Sequence, residues 1–456
     1  MTISVHKAVL LPKDSPWFSH ALPEDFPFLV IDEQSKIIEP ALLYLIHTQL
    51  KRGPRHWKQH TADAMAYDLK DWFDYLAHCQ WVNPVTKKLE VGKPWDVAAE
   101  SDYIAWRDTM QVLISPQTNR HLASETISRR QGYVERFYAY AQKQGWYDGE
   151  FVISKIRKGR LSHDINQGGF DPESNSAEAE VVVSEYRERM EYGEPIRPLS
   201  DDEWHRIQLK LGPLPSEREF DLRPSRDRIV SELAIGTGMR VDEITSLTEF
   251  QLRDLHQAWL VADEEQRQKG FFALYIVKTK RLKPRDVFVP GYIIPELMVY
   301  LDNEREASII RGTTRANAKG QKYNRPISLF VNLSDSAEHS GNAVSATSLS
   351  YQFKKACLDA KITHSVEKID IETSERYRVN LSKHHFHDLR HTFAVWTYHD
   401  LKSNGETEPW KEIQVRLGHA NLKVTLDTYL KVVDVDRRNA GRVQYNFKRT
   451  MGQPDA

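Results

Sequence analysis

Two arginines, two histidines and a tyrosine stand in an order that suits the breaking of a phosphodiester bond. TGMRVDEI at 237–244 contributes Arg240, HDLRHTFA at 387–394 contributes His387 and Arg390, and LGHANLKVTLDTYLKV at 417–432 contributes His419 and Tyr429. Cleaving a DNA strand without water needs a nucleophile for phosphorus, neutralisation of charge on the non-bridging oxygens, and a proton for the leaving oxygen. The guanidinium fork suits phosphate oxygens, and a phenol forms a reversible ester.

Each motif alone has a plain structural interpretation. Arg240 follows Gly238 at a predicted turn before an amphipathic helix, and alone it would be a surface arginine. His387 and Arg390 are three residues apart, so a helix would place them on one face. Tyr429 lies in a helical pattern where a tyrosine ordinarily packs. The order of the three motifs along one chain favours a common site.

The C-terminal half resembles the catalytic domain of the tyrosine recombinases, the phage-integrase family. That family's motifs are TG-[LM]-R-x-x-E-[IL], then H-x-L-R-H, then L-G-H followed nine or ten residues later by Tyr, and this chain has all three in order. The resemblance covers roughly 199–435, and 39–165 resembles the family's core-binding domain loosely. It implies a mainly α fold with a small β-hairpin or sheet in the catalytic domain, and a two-domain DNA clamp.

The resemblance also implies a role for each motif residue. Arg240 and Arg390 would hold the scissile phosphate. Tyr429 would form a 3′-phosphotyrosyl link and free a 5′-hydroxyl. His387 would assist proton transfer at the tyrosine, and His419 would donate a hydrogen bond to a phosphate oxygen. The implied function is site-specific DNA recombination or integration, with double-stranded DNA as partner.

A lysine on a β-hairpin completes the site in this family and protonates the leaving 5′-oxygen. The hairpin predicted at 271–290 offers Lys278, Lys280 and Lys283. Lys280 is preferred because the Thr279-Lys280 pair, followed by Arg285 and VFVP, best matches the family pattern, and Lys278 is the alternative. In the same way Glu243 would support Arg240, and His391 would support the site from a second layer of contacts.

Four segments are predicted along the chain. Residues 1–38 are expected to be irregular because four prolines break any helix there. Residues 39–165 are predicted to form a helical core-binding domain, since apolar residues recur at helical spacing over 62–76. Residues 166–198 are predicted to be an acidic linker, and 199–456 the catalytic domain with a basic tail.

Charge is distributed unevenly. Residues 171–203 hold eleven acids against three bases, which is −8, so the net charge of −1 leaves +7 for the rest of the chain. The basic residues of 120–160 are either a solvated helix face or a surface for DNA phosphates.

Within the segment 199–456, Ser200 is the predicted N-cap of a helix. The hairpin at 271–290 is the one predicted interruption of the helices, and 312–325 is predicted to be a basic loop.

Several classes of protein are disfavoured. No apolar run of about 18 residues predicts a membrane span, the N-terminal apolar stretch is short for a signal peptide, and two distant cysteines fit a reducing cytoplasmic setting. No P-loop or set of spaced carboxylates is present, so neither a nucleotide nor a metal cofactor is expected. The predicted assembly is a homotetramer on paired DNA sites, with a monomer as the free form.

Three alternatives remain at this point. HDLRH at 387–391 has the H-D-x-x-H shape of a zinc-helix variant, which would make the protein a metallohydrolase. A type IB topoisomerase would use a similar set of side chains to relax supercoils. A DNA-binding protein with a decayed active site is the third, although every expected catalytic residue type is present.

Overall fold

The computed structural model describes residues 2–9, 22–51, 57–149, 187–188, 196–219, 221–277, 284–333, 338–419, 421–426, 428–429 and 433. The chain divides into two compact units. Unit 1 comprises Met1–Gly193 with Glu367–Tyr377, and unit 2 comprises Glu194–Val366 with Arg378–Ala456. Over the described residues no helix combines the length and the apolar character needed to cross a bilayer.

Unit 1 is a helical bundle edged by short antiparallel sheets. Its helices are α1 Glu39–Gln49, α2 Gln59–His78, α3 Glu100–Val112 and α4 Ser124–Lys143. Its strands are β1 Ile3–Lys7, β2 Pro27–Ile31, β3 Lys36–Ile37, β4 Gln80–Val82, β5 Leu89–Val91, β6 Ile114–Ser115 and β7 Arg120–His121. The helical periodicity over 62–76 is confirmed, because its apolar residues are the buried face of α2.

An aromatic core holds the bundle together. Trp72 of α2 donates a hydrogen bond from Nε1 to the Tyr138 hydroxyl of α4 at 3.1 Å, and its ring packs edge-on against Trp106 of α3. Phe137 and Tyr103 are also buried there. Each such ring pair adds about 0.5–1.5 kcal/mol beyond the area it buries, so three helices are fixed by a few large side chains.

The expectation that 1–38 is irregular is wrong for its two ends. Strands β1 and β2 pair antiparallel in the order β1–β2–β3, with Ile3 opposite Ile31 and Val5 opposite Leu29. Pro27 opens β2, and the first residue of a strand is a position where proline is tolerated although it has no N–H to donate to the ladder. Among the described residues of 1–38 no α-helix forms before Glu39, as the prolines predict, but they gave no sign that residues 3–7 would pair with residues 27–31.

Unit 2 is also mainly helical, which confirms the predicted fold class of a mainly α protein with small β-hairpins. Its helices are α5 Asp201–Leu211, α6 Arg226–Thr237, α7 Val241–Thr245, α8 Glu249–Val261, α9 Glu264–Lys269, α10 Ile293–Tyr300, α11 Glu306–Ala318, α12 Ala346–Asp359, α13 Phe386–Ser403 and α14 Pro409–Leu417. Ser200 caps α5, as predicted, by accepting a hydrogen bond from the Glu203 N–H.

Within the described residues of unit 2, two hairpins interrupt these helices. The predicted one consists of β8 Phe271–Ile276 and β9 Arg285–Pro290, paired antiparallel. The second, β10 Thr363–Ile369 with β11 Arg376–Ser382, was not predicted. Its tip groups with unit 1, where the Ile369 N–H donates to the Asn119 carbonyl at 2.7 Å. The prediction of a single interruption is therefore wrong. The second hairpin was missed because the charged residues of β10 and β11 hide the strand pattern.

The predicted basic loop at 312–325 is wrong in its first half. Helix α11 continues through Ala318, and Ser308, Ile309, Gly312 and Ala316 form its buried side. Three of these four residues are small or polar, so the apolar periodicity that marks an amphipathic helix is weak here. The arginines on its exposed side led to the prediction of a basic loop.

Candidate active site

The first motif places Arg240 at the junction of two helices. Helix α6 ends at Gly238, whose φ of 66° is in the left-handed region, and α7 begins at Val241. A Cβ on Gly238 would lie 2.5 Å from the Phe393 ring and 2.9 Å from Leu417, so glycine is required by both backbone and packing. The side chain of Arg240 is 26% exposed and remains accessible from solvent.

Glu243 fixes Arg240 from beneath. Its carboxylate, 1% exposed, accepts the Arg240 N–H at 2.9 Å and the Arg240 Nη1 at 3.1 Å. The same carboxylate accepts Arg285 Nη2 of β9 at 2.9 Å. Burial raises the pKa of Glu243, but the charge of Arg285, the Arg240 N–H and the charge of Arg240 outweigh it and hold the pKa below its ordinary value.

Arg285 connects the hairpin to the third motif. Its Nη1 donates to the Arg416 carbonyl at the end of α14, and a Cβ on Gly418 would lie 2.6 Å from its Cδ. Gly418, with a φ of 65°, ends α14 in the left-handed conformation. One arginine therefore joins β9, the carboxylate that positions Arg240, and the turn that carries His419.

Arg390 lies on α13 and is almost fully buried, at 2% exposure. Its Nη1 donates to the Gly238 carbonyl, and its Nη2 donates to the Leu417 carbonyl at 2.7 Å. Burial and the neighbouring charge of Arg240 lower the pKa of Arg390 to about 9. The guanidinium thus binds carbonyls from the first and third motifs, which unites the three sequence motifs in one place.

His419 is oriented by the turn that follows α14. Its N–H donates to the Gln414 carbonyl at 3.1 Å, and its Nδ1 lies 2.9 Å from the hydroxyl of the buried Thr425. Burial and the charges of Arg390 and Arg240 lower the pKa of His419 to about 3. With Nδ1 engaged by Thr425, the Nε2 side is the one available to a ligand.

Tyr429 is buried within the same cluster. It is 1% exposed and packs with Phe393, Leu417 and Val433. Its hydroxyl lies 3.1 Å from Nδ1 of His391, and the rings of Tyr429 and His419 are nearly parallel with centroids 6.4 Å apart. Burial raises the pKa of Tyr429 to about 12, although the charges of Arg390 and Arg240 oppose the rise. The phenol is therefore protonated at neutral pH and needs a proton acceptor to become a nucleophile.

His391 has the properties of such an acceptor. Burial, together with the charges of His387 and Arg390, lowers its pKa to about 3, so the imidazole is neutral at physiological pH. The His387 ring stands edge-on to it, with centroids 4.8 Å apart. The described residues of the site thus offer cationic groups for an anion and a neutral imidazole beside a phenol.

Comparison with known proteins agrees with this arrangement. The phage integrase family model matches residues 217–435. A "Tyrosine recombinase XerC-like" protein of Caldanaerobacter subterraneus is 23% identical over 317 residues, which are 67% of this chain and 68% of that protein. The matched range contains every motif residue described above. Residues 217–435 thus carry a phage integrase domain, as the motifs predicted.

Solved structures are similar at a lower level. The XerH site-specific recombinase bound to palindromic difH substrate is 16% identical with a TM-score of 0.48, and the match covers 89% of each chain. The Tn1549 transposon integrase in complex with a circular intermediate DNA is 15% identical with a TM-score of 0.44, over 88% of this chain and 99% of that one. TM-scores below 0.5 do not by themselves establish a common architecture.

The expected enzyme class is confirmed: the protein is a tyrosine-type DNA breaking and rejoining enzyme. Five of the six predicted site residues fall among the described residues, and the structure brings Arg240, Arg390, His419 and Tyr429 together. The His387 ring packs against His391, which in turn lies beside the Tyr429 hydroxyl. Lys280 and the alternative Lys278 lie outside the described residues, so the choice between them stays a prediction.

The sequence did not predict the contributions of two residues to this site. His391 was assigned a supporting place, yet its Nδ1 is within hydrogen-bond distance of the tyrosine hydroxyl. Arg285 was used only to align the hairpin, although it binds Glu243. Helical spacing gave a signal for His391, because it is four residues from His387 on one face of α13. No local pattern signals Arg285, since its partners are 42 and 131 residues away.

The zinc alternative gains no support from the integrase-family site. Within the part of the chain that the structure describes, no group of three or more His, Cys, Asp or Glu residues is arranged to hold a metal ion. Arg390 lies between His387 and His391 in the motif, and its charge acts on His391. A cation at that position disfavours a second cation.

Proposed function

We propose that the protein is a site-specific recombinase or integrase that cleaves DNA through a 3′-phosphotyrosyl intermediate. The observation that carries the proposal is the pairing of a buried phenol, Tyr429, with a neutral imidazole acceptor at 3.1 Å, beside Arg240 and Arg390, whose charges act on the phenol. A nucleophile next to a base and next to donors for a phosphoryl group is the arrangement that strand cleavage needs.

The proposed reaction is balanced in bonds and protons. Tyr429 loses its proton to a histidine, its oxygen bonds to phosphorus, and the bond from phosphorus to the 5′-oxygen breaks. Arg240 and Arg390 neutralise the charge on the non-bridging oxygens, and His419 donates from Nε2. The leaving 5′-oxygen takes a proton from the hairpin lysine, for which Lys280 is the candidate. Religation reverses each step, so no nucleotide is consumed.

For the proton acceptor, we favour His391 beside the earlier candidate His387. The 3.1 Å contact joins the Tyr429 hydroxyl to His391 Nδ1, and the low pKa keeps that nitrogen able to accept. His387, whose ring stands edge-on to that of His391, would then either take the proton from His391 or adjust the pKa of His391. Both roles follow from the same pair of rings.

The partners follow from the reaction. Duplex DNA is the proposed substrate, and a tetramer on two paired sites is the proposed active assembly, with a monomer as the free form. Absence of a metal or nucleotide cofactor stays a prediction, as do the cytoplasmic location and the domain boundaries at 38, 165 and 198.

Replacing Tyr429 tests the nucleophile. Tyr429→Phe removes only the hydroxyl from a packed ring, so we expect unchanged DNA binding and complete loss of the covalent adduct on a denaturing gel with labelled DNA. Tyr300→Phe is the matched control, because it removes another buried hydroxyl in unit 2, one that accepts the Val331 N–H at 3.3 Å. An adduct that survives in Tyr429→Phe would refute the assignment.

The fate of a supercoiled plasmid tests the recombinase function itself. Recombination between two sites, with relaxation dependent on the site, supports it. Relaxation that is equally strong without any site would make the protein a type IB topoisomerase-like enzyme instead.

The acceptor is tested with asparagine variants. Asparagine places a polar atom near the Nδ1 position but cannot take a proton at neutral pH. If His391 only orients Tyr429, His391→Asn retains most of the cleavage rate. If His391 accepts the proton, we expect a loss of about 10²-fold, the range of general-base catalysis, together with a changed pH–rate profile. His387→Asn is the parallel variant, and a larger loss there would return the role to His387.

A further inference from the structure

Arg187, in the segment that precedes unit 2, inserts its side chain into a socket on unit 1. Its Nε and Nη2 donate to the Ser128 carbonyl of α4 at 3.2 and 3.1 Å, and its Nη1 lies 3.7 Å from the Glu135 carboxylate. Residue 132 is glycine at this point, and a Cβ there would lie 1.9 Å from Arg187 Nη2. The guanidinium therefore occupies the space that any larger side chain would fill.

The base of the socket is polar and deeply buried. Glu135 and Tyr103 are each 1% exposed and Gln131 is fully buried, and the Tyr103 hydroxyl donates to Glu135. A carboxylate at that depth is costly unless a cation and hydrogen bonds compensate it. The guanidinium of Arg187 brings that charge from 52 residues along the chain, so the socket is completed by a distant segment.

Glu188 adds a second point of attachment. Its N–H donates to Gln131 Oε1 at 2.7 Å, and its carboxylate accepts from Gln111 Nε2 of α3 at 2.7 Å. Two consecutive residues are thus held through backbone and side chain by two helices of the same unit. The attachment depends on specific groups, and a general attraction between charges would not produce this pattern of donors and acceptors.

We propose that the socket formed by Tyr103, Ser128, Gln131, Gly132 and Glu135 is a docking surface for the connecting segment and sets where the chain leaves unit 1. Unit 2 begins to pack at Ile196, which contacts its small cluster around Phe393. Eight residues separate Glu188 from Ile196, a reach of at most about 29 Å at ~3.6 Å per residue. Released at Arg187, the chain from Gly149 to Ile196 would reach up to about 170 Å.

Gly132→Ala separates this proposal from a simple helix effect. In a helix interior alanine is favoured over glycine, so an empty socket would make the variant more stable. With Arg187 in the socket, the new methyl group must displace the guanidinium, which is the flexible end of a side chain. We therefore expect the connecting segment to be released while unit 1 stays folded.

Release is measured by hydrogen exchange of the Glu188 amide, which the Gln131 bond protects, and by the rate of tryptic cleavage after Arg187. Both should rise at least about tenfold in Gly132→Ala. Arg187→Met should raise Glu188 exchange to the same degree without touching α4. Lys143→Ala, an exposed change on α4, is the control and should leave both rates unchanged.

Unchanged Glu188 exchange in both variants would overturn the proposal. If Gly132→Ala failed to fold, as judged by its thermal unfolding, Arg187→Met would decide alone, because it alters only the inserted side chain. Release in Arg187→Met but not in Gly132→Ala would also contradict the socket, since the methyl group added at residue 132 must displace the guanidinium.

A second measurement rests on the proposed function. If both units bind one duplex, lengthening the tether from 8 to 47 residues lowers the effective concentration of the second unit by (47/8)^1.5, about 14-fold. Affinity for a single DNA site should fall by that factor in Arg187→Met. If the wild-type protein bound no DNA, the proposed function would fail, and the exchange result would still decide the socket.

Discussion

Each unit holds a cluster of buried charge, and the two clusters differ in their balance. In unit 1 the guanidinium of Arg187 meets the carboxylate of Glu135. In unit 2 Arg240 and Arg285 share the carboxylate of Glu243, while Arg390 binds two backbone carbonyls. Within the described residues of the site, three guanidinium groups therefore face one ion-paired carboxylate.

This difference separates a structural arginine from one that awaits a ligand. A buried pair with matched charge is complete, and its value lies in holding two segments together. An excess of buried positive charge is costly until an anion enters, and the lowered pKa of Arg390 reports that cost. The site of unit 2 is thus suited to an anion such as the phosphate of the proposed reaction, and the socket of unit 1 already has its partner.

Removing Arg390 should give the largest effect. Arg390→Ala deletes a transition-state donor, so we expect the single-turnover cleavage rate at saturating DNA to fall at least ~10²-fold. Arg390→Lys keeps the charge but not the fork and should also be impaired. Arg187→Met should leave this rate unchanged once DNA is bound. Equal losses in the Arg390 and Arg187 variants would remove the distinction between the two clusters.

Acid should destabilise unit 2 through the site's histidines. The folded-state pKa values of His391 and His419 are about 3, below the ordinary 6.5, so the unfolded chain binds more protons as the pH falls below 6.5. Stability is therefore present above pH 6.5 and is lost progressively toward pH 3. Each histidine should lower the free energy of unfolding by about 2 kcal/mol between pH 7 and pH 5.

Urea unfolding of unit 2 at the two pH values measures this loss. His391→Asn and His419→Asn should each reduce the difference between pH 5 and pH 7 by that amount, whereas His60→Gln, at an exposed position of unit 1, should not. A pH dependence that is identical in all three variants would show that burial and the neighbouring positive charge do not hold the pKa values of these imidazoles low.

Shared support by Glu243 should appear as coupling. Glu243→Gln and Arg285→Met each remove one half of the ion pair that holds Arg240 from beneath, so we expect each to lower the cleavage rate by about tenfold (~1.4 kcal/mol). The double variant should be little worse than either single one, because both act on the same arginine. Losses that multiply would mean that Arg285 acts independently of Glu243, for example through the Arg416 carbonyl.

The sequence was sufficient for the site's motifs but not for the contacts between them. Gly238 was recognisable as a turn, and α13 and the β8–β9 hairpin followed from local patterns. Arg285 and Arg187 act on partners far along the chain, and a lone arginine carries no sign of such a partner. For the same reason β1–β2 and β10–β11 were missed: strand pairing is a relation between two segments that neither contains alone.

Binding of inorganic phosphate should give the smallest effect. It tests most directly the difference in charge balance between the clusters of unit 1 and unit 2. An anion that binds only the folded site stabilises by RT ln(1 + [L]/Kd), about 1 kcal/mol at fivefold Kd. Phosphate also stabilises proteins generally through exclusion from their surfaces, so the informative quantity is the difference between variants. Arg240→Gln should lose the saturable part of the rise in unfolding temperature, because Arg240 is the accessible arginine of the site. Arg187→Met should keep it, since the guanidinium it removes already has the Glu135 carboxylate beside it. If the two variants respond alike, the surplus charge of unit 2 does not constitute an anion site.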